Sequence, residues 1–187
     1  MLFLLFIAII IVQRAAELMV AKSNEKWMKS QGALEFGQGH YKWIVFIHTM
    51  FLISCILEVF ILEKSLSPFW PFFLCLFVVA QAERIWAISS LGRFWNTKII
   101  VLPGANVIRK GPYRFFKHPN YMIVAAEFLV IPLLFKAHLT AIVFTIVNSI
   151  ILSIRIPAEE KALKELTEYE KAFLQIRPGI DEDIKKV

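Results

Sequence analysis

Residues 120–156 read NYMIVAAEFLVIPLLFKAHLTAIVFTIVNSIILSIRI. Two apolar runs, about Asn120 to Phe135 and about Leu139 to Ile156, are parted only by Lys136, Ala137 and His138. So short a break leaves room for a tight turn, and the two runs are expected to form an antiparallel helical hairpin. A helical span takes ~20 mostly apolar residues. Both runs fall short of that, which calls for tilt or a locally thin bilayer.

Three more apolar runs lie upstream. They cover about Met1 to Val20 (with Gln13, Arg14 and Glu17 near the end), Lys42 to Leu62 (with His48 and Glu58) and Pro68 to Leu91 (with Glu83 and Arg84). The chain has 187 residues, of which 58% are hydrophobic and 19% charged. A soluble domain of this size could not hide that much apolar surface. The expectation is an all-α integral membrane protein of about five transmembrane helices. It forms one domain, residues 1–187, divided into an N-terminal set of three spans (1–91) and a C-terminal loop, hairpin and tail (92–187). The first 12 residues lack a basic leader and a small-residue cleavage site, so they read as a retained span.

The net charge is +6. The basic residues lie between apolar runs, so the bilayer surface, and not nucleic acid, is their natural partner. Lys22, Lys26, Lys29 and Lys42 follow the first run; Arg93, Lys98, Arg109, Lys110, Arg114 and Lys117 follow the third; the tail from Arg155 carries more. Only Lys64 and Lys136 fall on the other side. With five spans, the positive-inside rule puts the C-terminus in the cytoplasm. Cys55 and Cys75 share no metal-ligand spacing and read as packing residues, so no metal is expected. Residues Glu159 to Ile176 carry Leu163, Leu166, Tyr169 and Phe173 at helical spacing, which predicts an amphipathic helix lying on the membrane or folded back on the cytoplasmic loops. Arg177, Pro178 and Gly179 would end it.

Chemistry concentrates in two places. The loop from Pro103 to Tyr121 holds Gly104, Gly111, Pro112, Tyr113, His118 and Pro119 where the chain re-enters the bilayer. Pro119 suits the first turn of a helix, and on a purely structural reading Tyr113 and Tyr121 are interfacial aromatics. The second place is Arg155-Ile156-Pro157-Ala158-Glu159-Glu160. Structurally, Pro157 would open the tail helix with two acids at its positive end, and Arg155 would snorkel. Functionally, Arg155 and Glu159, four apart, would converge on one ligand. Glu127 lies well inside the fourth span, where an ionisable group reads either as part of an acceptor pocket or proton path or as a helix-pairing group. His40 and His48 carry no motif.

Gly111-Pro112-Tyr113, then Lys117-His118-Pro119-Asn120-Tyr121, a hydrophobic hairpin, and Arg155 with Glu159-Glu160 together resemble the isoprenylcysteine carboxyl methyltransferase family. The resemblance covers about the C-terminal half. It departs at Lys117, where the family usually has Arg and its bidentate geometry, and at Ala105, where the family often has His. The resemblance implies an S-adenosylmethionine site touching Ala105, Asn106, Val107, Ile108, Tyr113, His118, Pro119, Asn120, Tyr121 and Glu159, with Arg155 on the acceptor side. It also implies a lipid-like acceptor entering from the bilayer, with Arg155 and Glu127 as the residues that would serve the transfer. The compact five-span form resembles small bacterial members, some of which O-methylate alkylpyrones, and so points to a bacterial cell membrane. Carboxyl methylation of a prenylcysteine and N-methylation of a phospholipid stand beside that hydroxyl chemistry. A sterol-reductase-like NADPH enzyme and a non-catalytic scaffold are the remaining classes.

Overall fold

The computed structural model describes residues 1–174. Its helices are α1 (Leu2–Ser30), α2 (Gln38–Ile61), α3 (Trp70–Leu91), α4 (Pro119–Leu134), α5 (His138–Leu166) and the short α6 (Tyr169–Leu174); two short strands, β1 (Leu34–Phe36) and β2 (Ile99–Val101), complete it. Helices α1, α2, α3 and α5 are each long and apolar enough to cross a membrane. Their outward faces expose large apolar residues such as Trp43, Phe72, Ile85 and Ile142, as a lipid-facing surface must. The chain is a multi-pass, mostly helical membrane protein.

Helix α4 has 16 residues, about 24 Å at 1.5 Å per residue, so it is shorter than the hydrocarbon core. It is also the most enclosed helix, packed between α3 and α5. Ile123, Phe128, Val130, Ile131 and Leu134 are all buried, and Phe128 stacks on Phe51 of α2. The tight turn after α4 forms as expected. Lys136 takes a left-handed φ of 56°, and the Ala137 N–H returns to the Pro132 carbonyl at 2.9 Å. Glu58 of α2 then caps α5, accepting from the backbone N–H groups of Leu139 (3.1 Å) and Thr140 (2.7 Å). Orphan donors at a helix start need such a partner, above all where water is scarce.

Three expectations are corrected. The first span does not stop near Val20: α1 continues to Ser30, so Lys22, Lys26 and Lys29 sit on a helix extending past the apolar run. Pro157 does not open a separate tail helix, because α5 runs through it without a break. Its missing N–H costs one backbone hydrogen bond, a loss that tertiary packing absorbs. The predicted tail helix is therefore the end of α5, a break at Thr167 and Glu168, and α6; Ile176, Arg177, Pro178 and Gly179 lie outside the described residues. Of the two settings foreseen for that apolar face, folding back is the one found. Ala158, Ala162, Leu163 and Leu166 pack on Phe36, Ile99 and Val101 of the antiparallel ribbon formed by β1 and β2. The ribbon itself was not foreseen. Lys29 and Lys98 tie it to α1 through Glu25 and Glu35.

Candidate functional site

Gly111 seats the Pro103–His118 loop against α3. Its φ is +54°, and a Cβ there would lie 2.0 Å from the Ser90 hydroxyl and 2.8 Å from the Trp86 indole nitrogen. Only glycine meets both conditions. The turn Gly111–Arg114 that follows places Tyr113 inward. Burial pushes its phenol pKa up, and the Glu159 charge adds to that. On the other side of the loop, Arg109 donates to the Ala172 carbonyl at 2.6 Å, and Gly104 donates to the Leu166 carbonyl at 2.9 Å. The loop is thus held between α3 and the end of α5.

Two cavities lie on either side of the first turn of α4 in sequence, one lined by His118 and the other by Asn120 and Tyr121. The smaller, about 140 Å³, is lined by Ala105, Asn106, Val107, Ile108, Tyr113 and His118, facing Leu163 and Tyr169. Among the described residues, the N–H groups of Asn106, Val107 and Ile108 make no backbone–backbone hydrogen bond. Such donors suit an anionic group. The larger cavity, about 430 Å³, lies among α1, α2, α4 and α5 and is mostly apolar. Asn120, Tyr121, Glu127 and Arg155 line it. The structure therefore divides the predicted site residues: those from Ala105 to His118 face the small cavity, while Asn120 and Tyr121 face the large one. Pro119, fully buried as the first residue of α4, and Glu159 on α5 line neither.

A hydrogen-bonded chain leads from Arg155 and Tyr121, which line the large cavity, to Glu159, which lines neither. Arg155 Nε donates to the Tyr121 hydroxyl at 2.7 Å, and that hydroxyl donates to Glu159 Oε2. Because α5 is unbroken, Arg155 and Glu159 lie one turn apart on one face, as the four-residue spacing requires, with Tyr121 between them. Arg155 Nη2 also donates to the Thr97 carbonyl at 2.5 Å. His118 stacks on Tyr121, ring centroids 5.5 Å apart, and its Nε2 lies 3.0 Å from Glu160.

Glu127 sits deeper. Arg14 donates to its Oε2 at 2.5 Å, Arg84 donates to the same oxygen, and Gln81 donates to Oε1 at 2.7 Å. Glu17 completes the cluster by bonding to Arg14 at 2.5 Å and Arg84 at 3.3 Å. The formal charges cancel, and every carboxylate is met by a guanidinium. Both Glu127 oxygens are engaged by groups on α1 and α3, a geometry that fits the helix-pairing reading of this residue. The expected pairing of Glu17 with Gln13 and Arg14 is present.

Sequence reasoning missed Trp95 and Thr97. Trp95 is 2% exposed and lines the large cavity. Its indole N–H, like Asn120 Oδ1, is buried without a partner among the described residues. No motif announces Trp95, since its role depends on the ribbon that carries it.

The isoprenylcysteine carboxyl methyltransferase family profile matches residues 73–165, a stretch that includes the loop, the hairpin and the Arg155–Glu159 pair. The chain is 50% identical over 163 residues to the uncharacterized protein YpbQ of Bacillus subtilis (strain 168), covering 87% of this chain and 97% of that protein. The chain belongs to the isoprenylcysteine carboxyl methyltransferase family. A more distant relative, an uncharacterized protein of Haemophilus influenzae (strain ATCC 51907 / DSM 11121 / KW20 / Rd), is 27% identical over 160 residues, 85% of this chain and 93% of the relative. No solved structure matches. Family membership makes this a membrane methyltransferase.

Proposed function

We propose that this protein is an S-adenosylmethionine-dependent O-methyltransferase whose acceptor is lipid-like and carries a hydroxyl, an alkylpyrone being the preferred case. The observation that carries this reading is the Arg155–Tyr121–Glu159 chain, which starts at the wall of the apolar cavity. It puts a cation beside the apolar cavity and a carboxylate toward the loop. The cofactor, when bound, supplies an electrophilic methyl group.

On this reading residues 1–187 act as one methyltransferase domain. The N–H groups of Asn106 to Ile108 take the cofactor's carboxylate. Tyr113 and Tyr121 present faces that attract its cationic sulfur. Glu159 holds its ammonium or a ribose hydroxyl through Oε1, while Oε2 keeps the Tyr121 bond. The small cavity, about 140 Å³, lies below the usual ~300–1,000 Å³ of ligand sites, so binding widens it.

The acceptor lies in the large cavity with its tail among Ile10, Phe51 and Ile131 and its head at Trp95, Asn120 and Arg155. Arg155 Nη1 remains for the reacting oxygen, since Nε and Nη2 are engaged. Catalysis is then alignment and exclusion of water. Glu127 and its partners form the cavity's inner wall. The loop and C-terminus face the cytoplasm of a bacterial cell, and the acceptor enters from the bilayer.

Purified protein should bind S-adenosylhomocysteine in a calorimetric titration and should not bind NADPH. Labelled methyl transfer should then follow with an alkylpyrone in preference to prenylcysteine or phosphatidylethanolamine. NADPH binding would favour a reductase, and binding of neither a scaffold. Preference for prenylcysteine or for the amine lipid would replace the acceptor class.

A further inference from the structure

A hydroxyl acceptor brings a proton that must leave as the methyl arrives, and an apolar cavity takes the neutral acceptor, because an anion would be costly to bury. We propose that Tyr121 and Glu159 are the exit route for that proton. The inference rests on the oxygen-acceptor reading above and adds the base that the sequence did not reveal.

The geometry is directional. Tyr121 lines the acceptor cavity. Its oxygen has two lone pairs, of which Arg155 Nε occupies one at 2.7 Å; the other is open to an acceptor O–H. Its own proton already points to Glu159 Oε2. The Glu159 side chain is 30% exposed, so the far end of the route reaches the surface of the molecule. The acids that line the cavity, Glu17 and Glu127, are engaged: Glu127 by Arg14, Arg84 and Gln81, and Glu17 by Gln13, Arg14 and Arg84. The charged and titratable groups around Glu159 are Tyr121 and His118 at the start of α4, Arg155 and Glu160 on α5, Tyr113 on the loop and Tyr169 on α6.

The step balances. The bond from the acceptor oxygen to the methyl carbon forms as the carbon–sulfur bond breaks, its electron pair staying on sulfur. The acceptor O–H breaks, its proton passes to the Tyr121 oxygen, and the Tyr121 proton passes to Glu159. One cation and one carboxylate become neutral together, so no charge is stranded in the membrane. Glu159 then releases the proton to cytoplasmic water.

The test uses full-length protein, saturating methyl donor and an alkylpyrone acceptor. Glu159→Gln keeps an oxygen for the Tyr121 bond but cannot take the proton; Glu159→Asp restores the carboxylate. Loss of a proton acceptor lowers kcat by ~10²–10⁴-fold, so Glu159→Gln should fall within that range, Tyr121→Phe should fall likewise, and Glu159→Asp should recover at least tenfold over Gln. A purely cofactor-holding Glu159 would raise KM for the donor and leave kcat at saturation unchanged in both variants, which overturns the proposal. Equal kcat losses in Gln and Asp also overturn it. Wild-type protein that methylates the amine lipid and no oxygen acceptor instead overturns the underlying reading, and it does so before any variant is made.

Discussion

Arg155 Nε and the Tyr121 hydroxyl, 34 residues apart in the chain, are hydrogen-bonded at 2.7 Å. The bond ties the second helix of the hairpin to the first turn of its partner. The same guanidinium reaches the Thr97 carbonyl, so three separate segments converge on one side chain.

Arg155→Lys keeps the charge but loses the planar fork that serves Tyr121 and Thr97 together. It should bind S-adenosylhomocysteine nearly normally and methylate poorly. Arg155→Ala should lose at least a further tenfold in kcat/KM, which corresponds to ~1.4 kcal/mol of transition-state stabilisation. Steady-state assays of both variants check this. An Arg155→Ala protein that methylates an amine lipid as well as wild type does would refute the oxygen-acceptor assignment.

Arg84 and Glu127 are 3% and 4% exposed. Breaking a buried pair leaves an uncompensated charge, at about 3–5 kcal/mol. Arg84→Met should therefore lower the thermal midpoint in detergent sharply. Lys29→Met, whose side chain is 42% exposed, should cost no more than ~1 kcal/mol. Equal losses would argue against a charge-matched cluster at the cavity wall.

Gly111→Ala meets both a positive φ and the Ser90 hydroxyl at 2.0 Å. It should destabilise by about 1–3 kcal/mol and weaken S-adenosylhomocysteine binding, because His118 follows on the same loop. Calorimetry and thermal unfolding would measure the two effects; unchanged values in both would contradict this placement of the loop.

The ribbon predicts a pH window. The hydrogen bond from Lys29, with Lys98 adding to it, holds the Glu35 pKa below the ordinary carboxylate value. Its stabilisation is complete above that ordinary value and is lost as pH falls through the lowered pKa. The hydrogen bond to Glu25, with Glu35 adding to it, raises the Lys98 pKa. That contribution is complete below the ordinary lysine value and is lost as pH rises through the raised pKa. The gap in thermal midpoint between wild type and Glu35→Gln should be full at neutral pH and close in acid, whereas the gap for Lys98→Met should close in strong base.

Orientation is testable on a background without Cys55 and Cys75. Lys64→Cys and Lys110→Cys should label from opposite sides of the membrane, position 110 from the cytoplasm. Cytoplasmic labelling at both would sink the topology.

Much of this molecule is legible in one dimension. The apolar runs and the three-residue break at Lys136 specify a hairpin, because a chain in lipid must satisfy its backbone within each helix. The order of Gly111, Tyr113, His118, Tyr121, Arg155 and Glu159 was enough to place the chain beside its family. What the sequence left open depends on partners far along the chain. Glu127 is ambiguous on α4 alone and becomes an ion-pair member only when Arg14 of α1 and Arg84 of α3 reach it. Trp95 enters the cavity wall only because the segment that leads into the ribbon with Leu34–Phe36 places it there. Continuity through Pro157 was decided by packing, since local propensity alone would have ended the helix. Periodicity records which way each helix faces; which charged groups meet across helices is set by their packing, and only the tertiary structure determines that.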